Sequence, residues 1–273
     1  MPYLQVNGAS IRYDMYPASG ETVVFIHGLM LPSESFEAQV AALKGRYQVL
    51  TYDLRGQGAS EKTADGLTID DLAADAVILI ERLAQGPAHL VAFSMGTFIA
   101  LRVAARRPDL VRSLCLIGPS AEAEDPANMP KYRRLIRFVR LFGPRPVAGQ
   151  LMKILFGDSF LSAPEAAHVR RRWFKVVQAL PRALHRAAAA SAHRPAIADE
   201  LQHIRAPTLV VSGEEDRPIS PLKARAVQAG VAGATFLAFP ATGHAVMIEQ
   251  PEAFNTALLS FLAQATGAAE PHP

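Results

Sequence analysis

A serine stands between small residues in the stretch Ala92-Phe93-Ser94-Met95-Gly96, where a strand-like run passes into a helical pattern. A serine can act as a nucleophile when its hydroxyl is exposed and lies near both a base and backbone N–H donors. A sharp strand-to-helix turn provides such a position, since the first N–H groups of a helix have no partner within it. Ala92 stands where glycine is usual, but it is small enough for a crowded turn. The pattern predicts a nucleophile at Ser94, the alternative being an ordinary helix cap.

An acid and a base follow two later strand-like runs. Asp216 comes shortly after Thr208–Ser212, and His244 comes shortly after Thr235–Phe239. Because the carboxyl ends of parallel strands lie along one edge of a sheet, residues on these loops can meet in one crevice. There His244 would remove the proton of Ser94, and Asp216 would hold the imidazole in the required tautomer and stabilise its cation. The chain order serine, aspartate, histidine predicts a catalytic triad.

A fourth element, His27-Gly28-Leu29-Met30, follows an early strand-like run. Acyl transfer passes through a tetrahedral oxyanion, which two preorganised N–H donors can stabilise. The amide of Met95, the residue after the nucleophile, is one predicted donor of this oxyanion hole, and the amide of Leu29 is the other. We interpret His27 as a residue that shapes the loop rather than as a base.

The elements that would position these residues follow two alternating patterns. The strand-like runs are Leu4–Val6, Ile11–Met15, Thr22–Ile26, Gln48–Tyr52, Ala88–Phe93, Val111–Ile117, Thr208–Ser212 and Thr235–Phe239. The helical patterns are Ser33–Leu43, Asp70–Ala84, Gly96–Arg106, a segment from about Pro221, and Pro251–Ala265. From about Pro119 to Glu200 no strand-like run occurs, and prolines divide the helical stretches. The alternation predicts an α/β fold, a mainly parallel and doubly wound sheet, with an inserted helical segment.

Several segments together resemble the α/β-hydrolase superfamily in its serine hydrolase branch. They are His27-Gly28, Asp53 to Ser60, the turn at Ser94, Gly213 to Asp216, and Gly243-His244. The resemblance covers residues from about 10 to 118 and from about 205 to 264. It implies an α/β-hydrolase core of residues 1–118 and 201–273, with a helical cap, or lid, at residues 119–200.

The resemblance also implies a structural role for Asp53 and Arg55 beside the site. The sequence has no metal-spaced His/Cys cluster and no convincing glycine-rich phosphate loop, so we expect no cofactor. Ser94 excludes relatives that use an aspartate nucleophile, such as haloalkane dehalogenases and soluble epoxide hydrolases. The active-site segments are most similar in style to those of small esterases, enol-lactonases and C–C bond hydrolases. Cofactor-free dioxygenases and perhydrolases of this fold keep the same three residue types, so these activities stay open.

The segment 119–200 is rich in both apolar and basic residues. Its large apolar side chains predict either helix packing or an apolar substrate pocket, and they are Leu135, Ile136, Phe138, Val139, Leu141, Phe142, Leu151, Ile154, Leu155, Phe156, Trp173 and Phe174. Trp173 is the candidate substrate-binding residue among them. The basic residues cluster at 131–145 and 170–175. This clustering is typical of solvated helix faces, and it would also suit steering of an anionic substrate or contact with an anionic membrane.

These residues predict a hydrolase that cleaves a carboxylic ester or lactone with a hydrophobic portion, through an acyl-enzyme. Two other functions would use or keep the same triad. One is C–C bond hydrolysis of vinylogous diketone acids, which would need an arginine of the cap for the substrate carboxylate. The other is a ligand-binding or signalling protein with negligible turnover.

The composition bounds the remaining possibilities. Half of the 273 residues are hydrophobic and the formal net charge is +3, which suits an enzyme-sized core with an insertion. The sequence has no nucleic-acid-binding motif, no metal-spaced His/Cys cluster and no apolar run of membrane-spanning length. We therefore expect a small-molecule substrate, with no nucleic acid, metal or transmembrane segment.

A single cysteine, Cys115, and the lack of a leader-like pattern predict a cytoplasmic protein. A homo-oligomer is compatible with the sequence, and Gly267–Pro273 is expected to be a frayed tail.

Overall fold

The computed structural model describes residues 2–84 and 86–266. The strands within them are β1 (Tyr3–Val6), β2 (Ala9–Tyr16), β3 (Thr22–Ile26), β4 (Gln48–Tyr52), β5 (Ala88–Phe93), β6 (Val111–Ile117), β7 (Thr208–Gly213) and β8 (Thr235–Phe239). They form one sheet in the order β1-β2-β4-β3-β5-β6-β7-β8. β2 runs antiparallel to both β1 and β4, and the other neighbouring pairs are parallel. The predicted mainly parallel α/β sheet is confirmed.

Helices cover both faces of this sheet. The α-helices are α1 (Glu37–Leu43), α2 (Ile69–Leu83), α3 (Met95–Arg106), α4 (Met129–Phe142), α5 (Ala148–Leu155), α6 (Asp158–Ser162), α7 (Ala167–Ala179), α8 (Leu184–Ala192), α9 (Pro221–Gly230), α10 (Val246–Glu249) and α11 (Pro251–Thr266). Short 3-10 helices span Ser33–Phe36, Pro108–Leu110, Arg145–Val147 and Ala198–His203. In the described part of the chain, no helix combines the length and the apolar character needed to cross a bilayer.

Two hydrophobic clusters hold the helices against the sheet. Side chains alternate between the faces of a strand, so neighbouring residues of β3 enter different clusters. Val24 and Ile26 pack with side chains of α2, α3 and α9, whereas Val23 and Phe25 pack with side chains of α1 and α11. Every residue of β3 is buried, which explains its continuous apolar run. The sheet is thereby a rigid support for the loops at the carboxyl ends of its strands.

Most element boundaries agree with the sequence patterns, and two details differ. The helical pattern of Ser33–Leu43 divides into a 3-10 turn and α1, and the Ser33 N–H at its start donates to a carboxylate oxygen of Asp53 at 3.0 Å. The single turn α10 was not predicted, since four residues are too few to show a helical period. The predicted tail at Gly267–Pro273 lies outside the described residues.

The chain between β6 and β7 is helical wherever it is regular, and we refer to residues 119–200 as the cap segment, after the role predicted from the sequence. Two hydrogen bonds attach its middle part to the loop that follows β8 and to α10. The N–H of Ala245 donates to the carbonyl of Leu155 at 3.0 Å, and the N–H of Gly157 donates to the carboxylate of Glu249 at 3.1 Å. The junction between α5 and α6 is therefore in direct contact with the loop that carries His244.

Candidate active site

Ser94 lies at the sharp turn between β5 and α3. Its φ is 50° and its ψ is −117°, a combination that is costly for a residue with a side chain and that occurs at functional turns. The Ser94 N–H donates to the carbonyl of Ile117 on β6 at 2.9 Å, which fixes the turn to the sheet. A Cβ at Gly96 would lie 2.1 Å from the carbonyl oxygen of Ile26. The turn therefore requires glycine at 96, while Ala92 fits in the buried end of β5.

His244 and Asp216 complete a chain of hydrogen bonds with Ser94. His244 Nε2 lies 2.7 Å from Ser94 Oγ, and His244 Nδ1 lies 2.7 Å from Asp216 Oδ2. When Asp216 is ionised it can only accept, so Nδ1 carries the proton and Nε2 is free to accept the Ser94 O–H. The second oxygen of Asp216 accepts the N–H of Ile219 at 2.8 Å. This arrangement can deprotonate Ser94 and stabilise the resulting imidazolium.

The imidazole is held between a ring and a glycine. The ring centroid of Phe93 lies 4.7 Å from that of His244. On another side, Gly118 has a φ of 59°, and a Cβ there would lie 2.9 Å from His244 Cε1 and 3.1 Å from Asp216 Oδ2. His244 is only 3% exposed and Asp216 only 5% exposed. Close packing thus restricts both side chains and keeps bulk water away from their hydrogen bond.

Glu249, which the sequence patterns did not single out, supports the loop that carries His244. Its carboxylate accepts the N–H of Gly243 at 2.9 Å, of Ala245 at 3.2 Å and of Gly157 at 3.1 Å. Burial raises the pKa of Glu249 to about 7, because a low-dielectric site disfavours the charged form. The only sequence signal is an acidic residue one turn beyond the histidine, inside the short α10.

The two predicted oxyanion donors lie beside the nucleophile. Met95 is the first residue of α3, so its N–H has no acceptor within that helix. Leu29 lies in the loop after β3, and among the described residues no acceptor for its N–H occurs. Gln57 links the two segments, since its Oε1 accepts the Met30 N–H at 3.2 Å and its Nε2 lies 3.9 Å from Met95 Sδ. Gln57 belongs to the Asp53–Ser60 motif, but the sequence pattern indicated no role for Gln57 itself.

Buried polar residues hold the loops beneath the site. His27 Nε2 accepts the N–H of Leu54 at 2.9 Å, and its Nδ1 lies 2.7 Å from the carbonyl of Gly28. Burial lowers the pKa of His27, so its imidazole is neutral and both nitrogens are engaged by the backbone. Asp53 accepts two backbone N–H groups at 3.0 and 2.8 Å. Arg55 forms a buried two-pronged ion pair with Asp75 of α2, at 2.8 Å for each contact.

Ser94 and His244 open onto a cavity of about 140 Å³ between the core and the cap segment. Its lining is mostly apolar and consists of Leu29, Met30, Phe98, Leu135, Ile136, Val139, Leu151, Ile154, Leu155, Leu184, Ala188, Ala192, Pro218 and Ile219, with Ser94, His244, Glu124, Tyr132, Ser191 and Arg194 as its polar members. Such a lining suits a hydrophobic ligand that is oriented by a few polar contacts.

The apolar residues predicted in the cap segment have several different surroundings. Phe156 is buried, and the ring centroid of Phe138 lies 4.9 Å from that of Phe142. Those that line this cavity are Leu135, Ile136, Val139, Leu151, Ile154 and Leu155. Leu141, Phe142 and Phe174 are exposed. Trp173 does not line the cavity of Ser94: its side chain is 2% exposed and lines a neighbouring cavity of about 380 Å³, which shares Met30 and Leu184 with the first. The difference arises because α7 turns Trp173 toward the loop containing Gln57 instead of toward the nucleophile.

Metal chemistry needs several ligating side chains in one place. Within residues 2–84 and 86–266, no group of three or more histidine, cysteine, aspartate or glutamate side chains is close enough to hold a metal ion. Cys115 is buried on β6, and burial raises the pKa of its thiol. The thiol therefore stays protonated and is a small apolar side chain of the core.

Solved structures of two hydrolases share this architecture over nearly the whole chain. A thermophilic esterase from Thermogutta terrifontis superposes with a TM-score of 0.87 and 26% identity, over 97% of this chain and 98% of that one. The enol-lactonase from Burkholderia xenovorans LB400 also gives a TM-score of 0.87 and 26% identity, over 96% of this chain and 100% of that one.

Sequence comparison leads to the same group of proteins. A protein of Mycobacterium tuberculosis, named "Putative non-heme bromoperoxidase BpoC", is 31% identical over 254 residues, which cover 90% of this chain and 95% of that protein. The sequence pattern described as "Alpha/beta hydrolase family" matches residues 23–257. The family pattern matches most of the chain, and hydrolases of known structure share its sheet. The chain therefore belongs to the alpha/beta hydrolase family and is a hydrolase.

Proposed function

We propose that this protein is a serine hydrolase that cleaves a carboxylic ester or lactone with a hydrophobic portion. The observation that carries the proposal is the unbroken chain from Ser94 Oγ through His244 to Asp216, with 2.7 Å at each step, at the wall of an apolar cavity. A nucleophile, a base and an orienting acid in this geometry are the requirements of acyl transfer. The likeness to an esterase and an enol-lactonase adds support.

The reaction proceeds in two acyl-transfer steps. Ser94 Oγ attacks the substrate carbonyl carbon while His244 Nε2 takes the hydroxyl proton, and the amides of Leu29 and Met95 donate to the oxyanion. The intermediate collapses to an acyl-enzyme, and the leaving alkoxide receives the proton from His244. Water then attacks the acyl group with His244 again as base, and the carboxylic acid leaves as Ser94 is restored. In a lactone the leaving alcohol stays attached to the acyl group.

Residues 119–200 act in this proposal as a cap that shapes the hydrophobic part of the site. Helices α4, α5 and α8 each supply side chains to the cavity wall. Their apolar atoms keep bulk water away from the acyl-enzyme, so that only a single water reaches it. The same apolar lining favours binding of alkyl or aryl groups. Trp173 has no part in the proposed binding site, since it lines the neighbouring cavity.

C–C bond hydrolysis of vinylogous diketone acids is the second candidate, and Arg194 is the observation that favours it. Arg194 is an arginine of the cap segment that lines the cavity of Ser94, as recognition of a substrate carboxylate would require. However, Glu124 already pairs with Arg194 at 3.2 Å. An incoming carboxylate would therefore meet a neutralised cation, so we rank ester or lactone hydrolysis first.

The test is turnover of p-nitrophenyl esters, simple lactones and diketone acids by the wild type and by Ser94→Ala. We expect ester or lactone turnover that falls by roughly 10⁴ to 10⁶ in the variant. The control is Ser162→Ala, which changes an exposed serine of α6. Turnover that survives in Ser94→Ala would refute the assigned nucleophile, and turnover restricted to diketone acids would select the second candidate.

A further inference from the structure

One part of the cavity wall is polar although the rest is apolar. Glu124, Tyr132, Ser191 and Arg194, which we term the Arg194 cluster, all line the cavity that contains Ser94. Arg194 is only 6% exposed, and burial of a guanidinium is costly unless its donors find acceptors. The hydrogen bonds that Arg194 makes, and the donors that it leaves without a protein acceptor, therefore indicate what kind of group this part of the cavity can bind.

Arg194 uses only some of its donors within the protein. Its Nη1 donates to Glu124 Oε2 at 3.2 Å and to the carbonyl of Ser191 at 2.9 Å. Its guanidinium carbon lies 4.2 Å from the ring centroid of Phe98, which fixes the plane of the group. The Nε atom is buried without a hydrogen-bond partner. Among the described residues, no acceptor for Nη2 occurs either, so Arg194 is left with spare donors.

Tyr132 adds a third donor to the same wall. Burial of the Tyr132 side chain and the nearby Glu124 carboxylate raise the pKa of its hydroxyl. The hydroxyl therefore stays protonated, and in the described part of the structure no protein acceptor is placed for it. Glu124 is itself engaged, because its other carboxylate oxygen accepts from the Asn128 side chain at 3.0 Å.

The charge of the cluster decides which acceptor it suits. Arg194 and Glu124 form a buried ion pair with side-chain exposures of 5% and 9%, so the pair is neutral as a whole. A ligand carboxylate would place a second anion beside Glu124 in a low-dielectric site, where like charges repel strongly. A neutral carbonyl oxygen could accept from Arg194 and Tyr132 without adding charge. Within the cluster, Nη2 of Arg194 and the Tyr132 hydroxyl are the donors open to such an oxygen, since the unpaired Nε is fully buried.

We propose that the Arg194 cluster binds a neutral carbonyl group, as in an amide, ketone or second ester, in the part of the substrate that fills this cavity. This inference rests on the proposed function and names its substrate class: hydrophobic esters or lactones that carry a second, uncharged carbonyl. Glu124 is the specificity-determining residue, because its charge excludes carboxylates. Phe98, beneath the guanidinium, follows Ser94 by four residues of α3, which advance about 6 Å along a helix. The second carbonyl would therefore bind in the same cavity as the one that is attacked.

The test uses p-nitrophenyl esters whose acyl chains end in a methyl group, a primary amide or a carboxylate, with a range of short spacers. A parallel series carries the same end groups on the alcohol side. Both are measured with the wild type, Glu124→Gln and Arg194→Met. The matched controls are Glu165→Gln and Arg137→Met, which change exposed residues of the cap segment. Binding of the same compounds to Ser94→Ala is measured by calorimetry, which does not depend on turnover.

In at least one series, we expect the wild type to favour the amide over the carboxylate by at least about tenfold in kcat/KM, since a hydrogen bond to a charged group is involved. Glu124→Gln leaves the Arg194 charge unpaired and should raise the relative kcat/KM of the carboxylate by about tenfold or more. Arg194→Met should remove the preference for the amide over the methyl group. The two controls should keep the wild-type order.

The inference is overturned if the wild type favours carboxylates, or if Glu124→Gln and Arg194→Met leave the end-group order of both series unchanged. Its failure is separable from failure of the proposed function. Ester turnover without end-group discrimination would refute the inference alone. Absence of turnover, together with preferential binding of the amide to Ser94→Ala, would refute the proposed function and support the inference. Should Arg194→Met fold poorly, Glu124→Gln decides the question, because it preserves the size of the side chain and keeps one acceptor oxygen.

Discussion

The carboxylate of Glu249 accepts hydrogen bonds from the residues on both sides of His244. Gly243 donates from one side at 2.9 Å and Ala245 from the other at 3.2 Å. The position of the imidazole is therefore set by a side chain that does not touch Ser94 or the cavity. Glu249 therefore acts on the proposed chemistry through the backbone that it holds and through its charge near His244, and we assign it as a positioning residue.

Glu249→Gln should lower kcat by roughly tenfold or more and change KM little. The amide nitrogen of glutamine cannot accept, so at least one of the N–H groups now held by Glu249 would face another donor. Steady-state kinetics on the best ester tests this, with Glu252→Gln as the control because that residue is exposed on α11. A rise in KM at constant kcat would contradict the positioning role.

The stability of the protein should depend on pH through Glu249. Burial raises the pKa of this carboxyl to about 7 in the folded state, above the value of about 4.3 expected in an unfolded chain. The folded state thus binds the proton more tightly, and this contribution to stability is complete below about pH 4.3 and is lost as pH rises through about 7. Relative to Glu249→Gln, the wild type should lose about 2 kcal/mol of unfolding free energy between pH 5 and pH 8.5. Urea unfolding of both proteins across this range measures it, and parallel pH profiles would contradict the assignment.

Asp216→Asn should reduce kcat by roughly 10⁴ while the fold is kept. The asparagine amide can donate to His244 Nδ1, which favours the tautomer whose Nε2 carries a proton and cannot accept from Ser94. The measurement is ester turnover, with far-ultraviolet circular dichroism to establish folding. A loss smaller than about tenfold would mean that Asp216 does not orient the base.

Gly118→Ala should impair both stability and turnover. The new methyl group would crowd His244 and Asp216 at 2.9 to 3.1 Å, at a position whose φ is 59°. Gly45→Ala is the matched control, since Gly45 has a φ of 88° but no atom within 4 Å of the added Cβ. Both variants should lose about 1 kcal/mol or more of stability from the backbone conformation, and only Gly118→Ala should lose kcat. Equal kcat in the two variants would contradict a close fit around the imidazole.

The sequence was most informative where one strong local pattern determines an element. Thr22–Ile26 and Ala88–Phe93 are short apolar runs with clear ends, and the structure places strands at those residues. The meeting of Ser94, His244 and Asp216 could also be expected, because each follows a strand and the carboxyl ends of parallel strands share an edge. These predictions need only the chain order and the direction of the strands.

Contacts between distant parts of the chain were not predictable in this way. Trp173 sits on an amphipathic helix, and the pattern indicates its buried face but not which of two cavities that face meets. The pairing of Glu124 with Arg194 joins the two ends of the cap segment. No local period reports such a pairing, so the polar part of the cavity wall could be found only from the fold.

The attachment of the α5–α6 junction to the loop of His244 has a consequence for how this scaffold can diversify. The carbonyl of Leu155 accepts the N–H of Ala245, and the carboxylate of Glu249 accepts the N–H of Gly157. Insertions or deletions at this junction would therefore displace the base together with the cap segment. Helices α4 and α8 supply much of the cavity wall without such a bond. New substrate ranges are therefore accessible through mutation of α4 and α8, while the junction has to be inherited nearly unaltered.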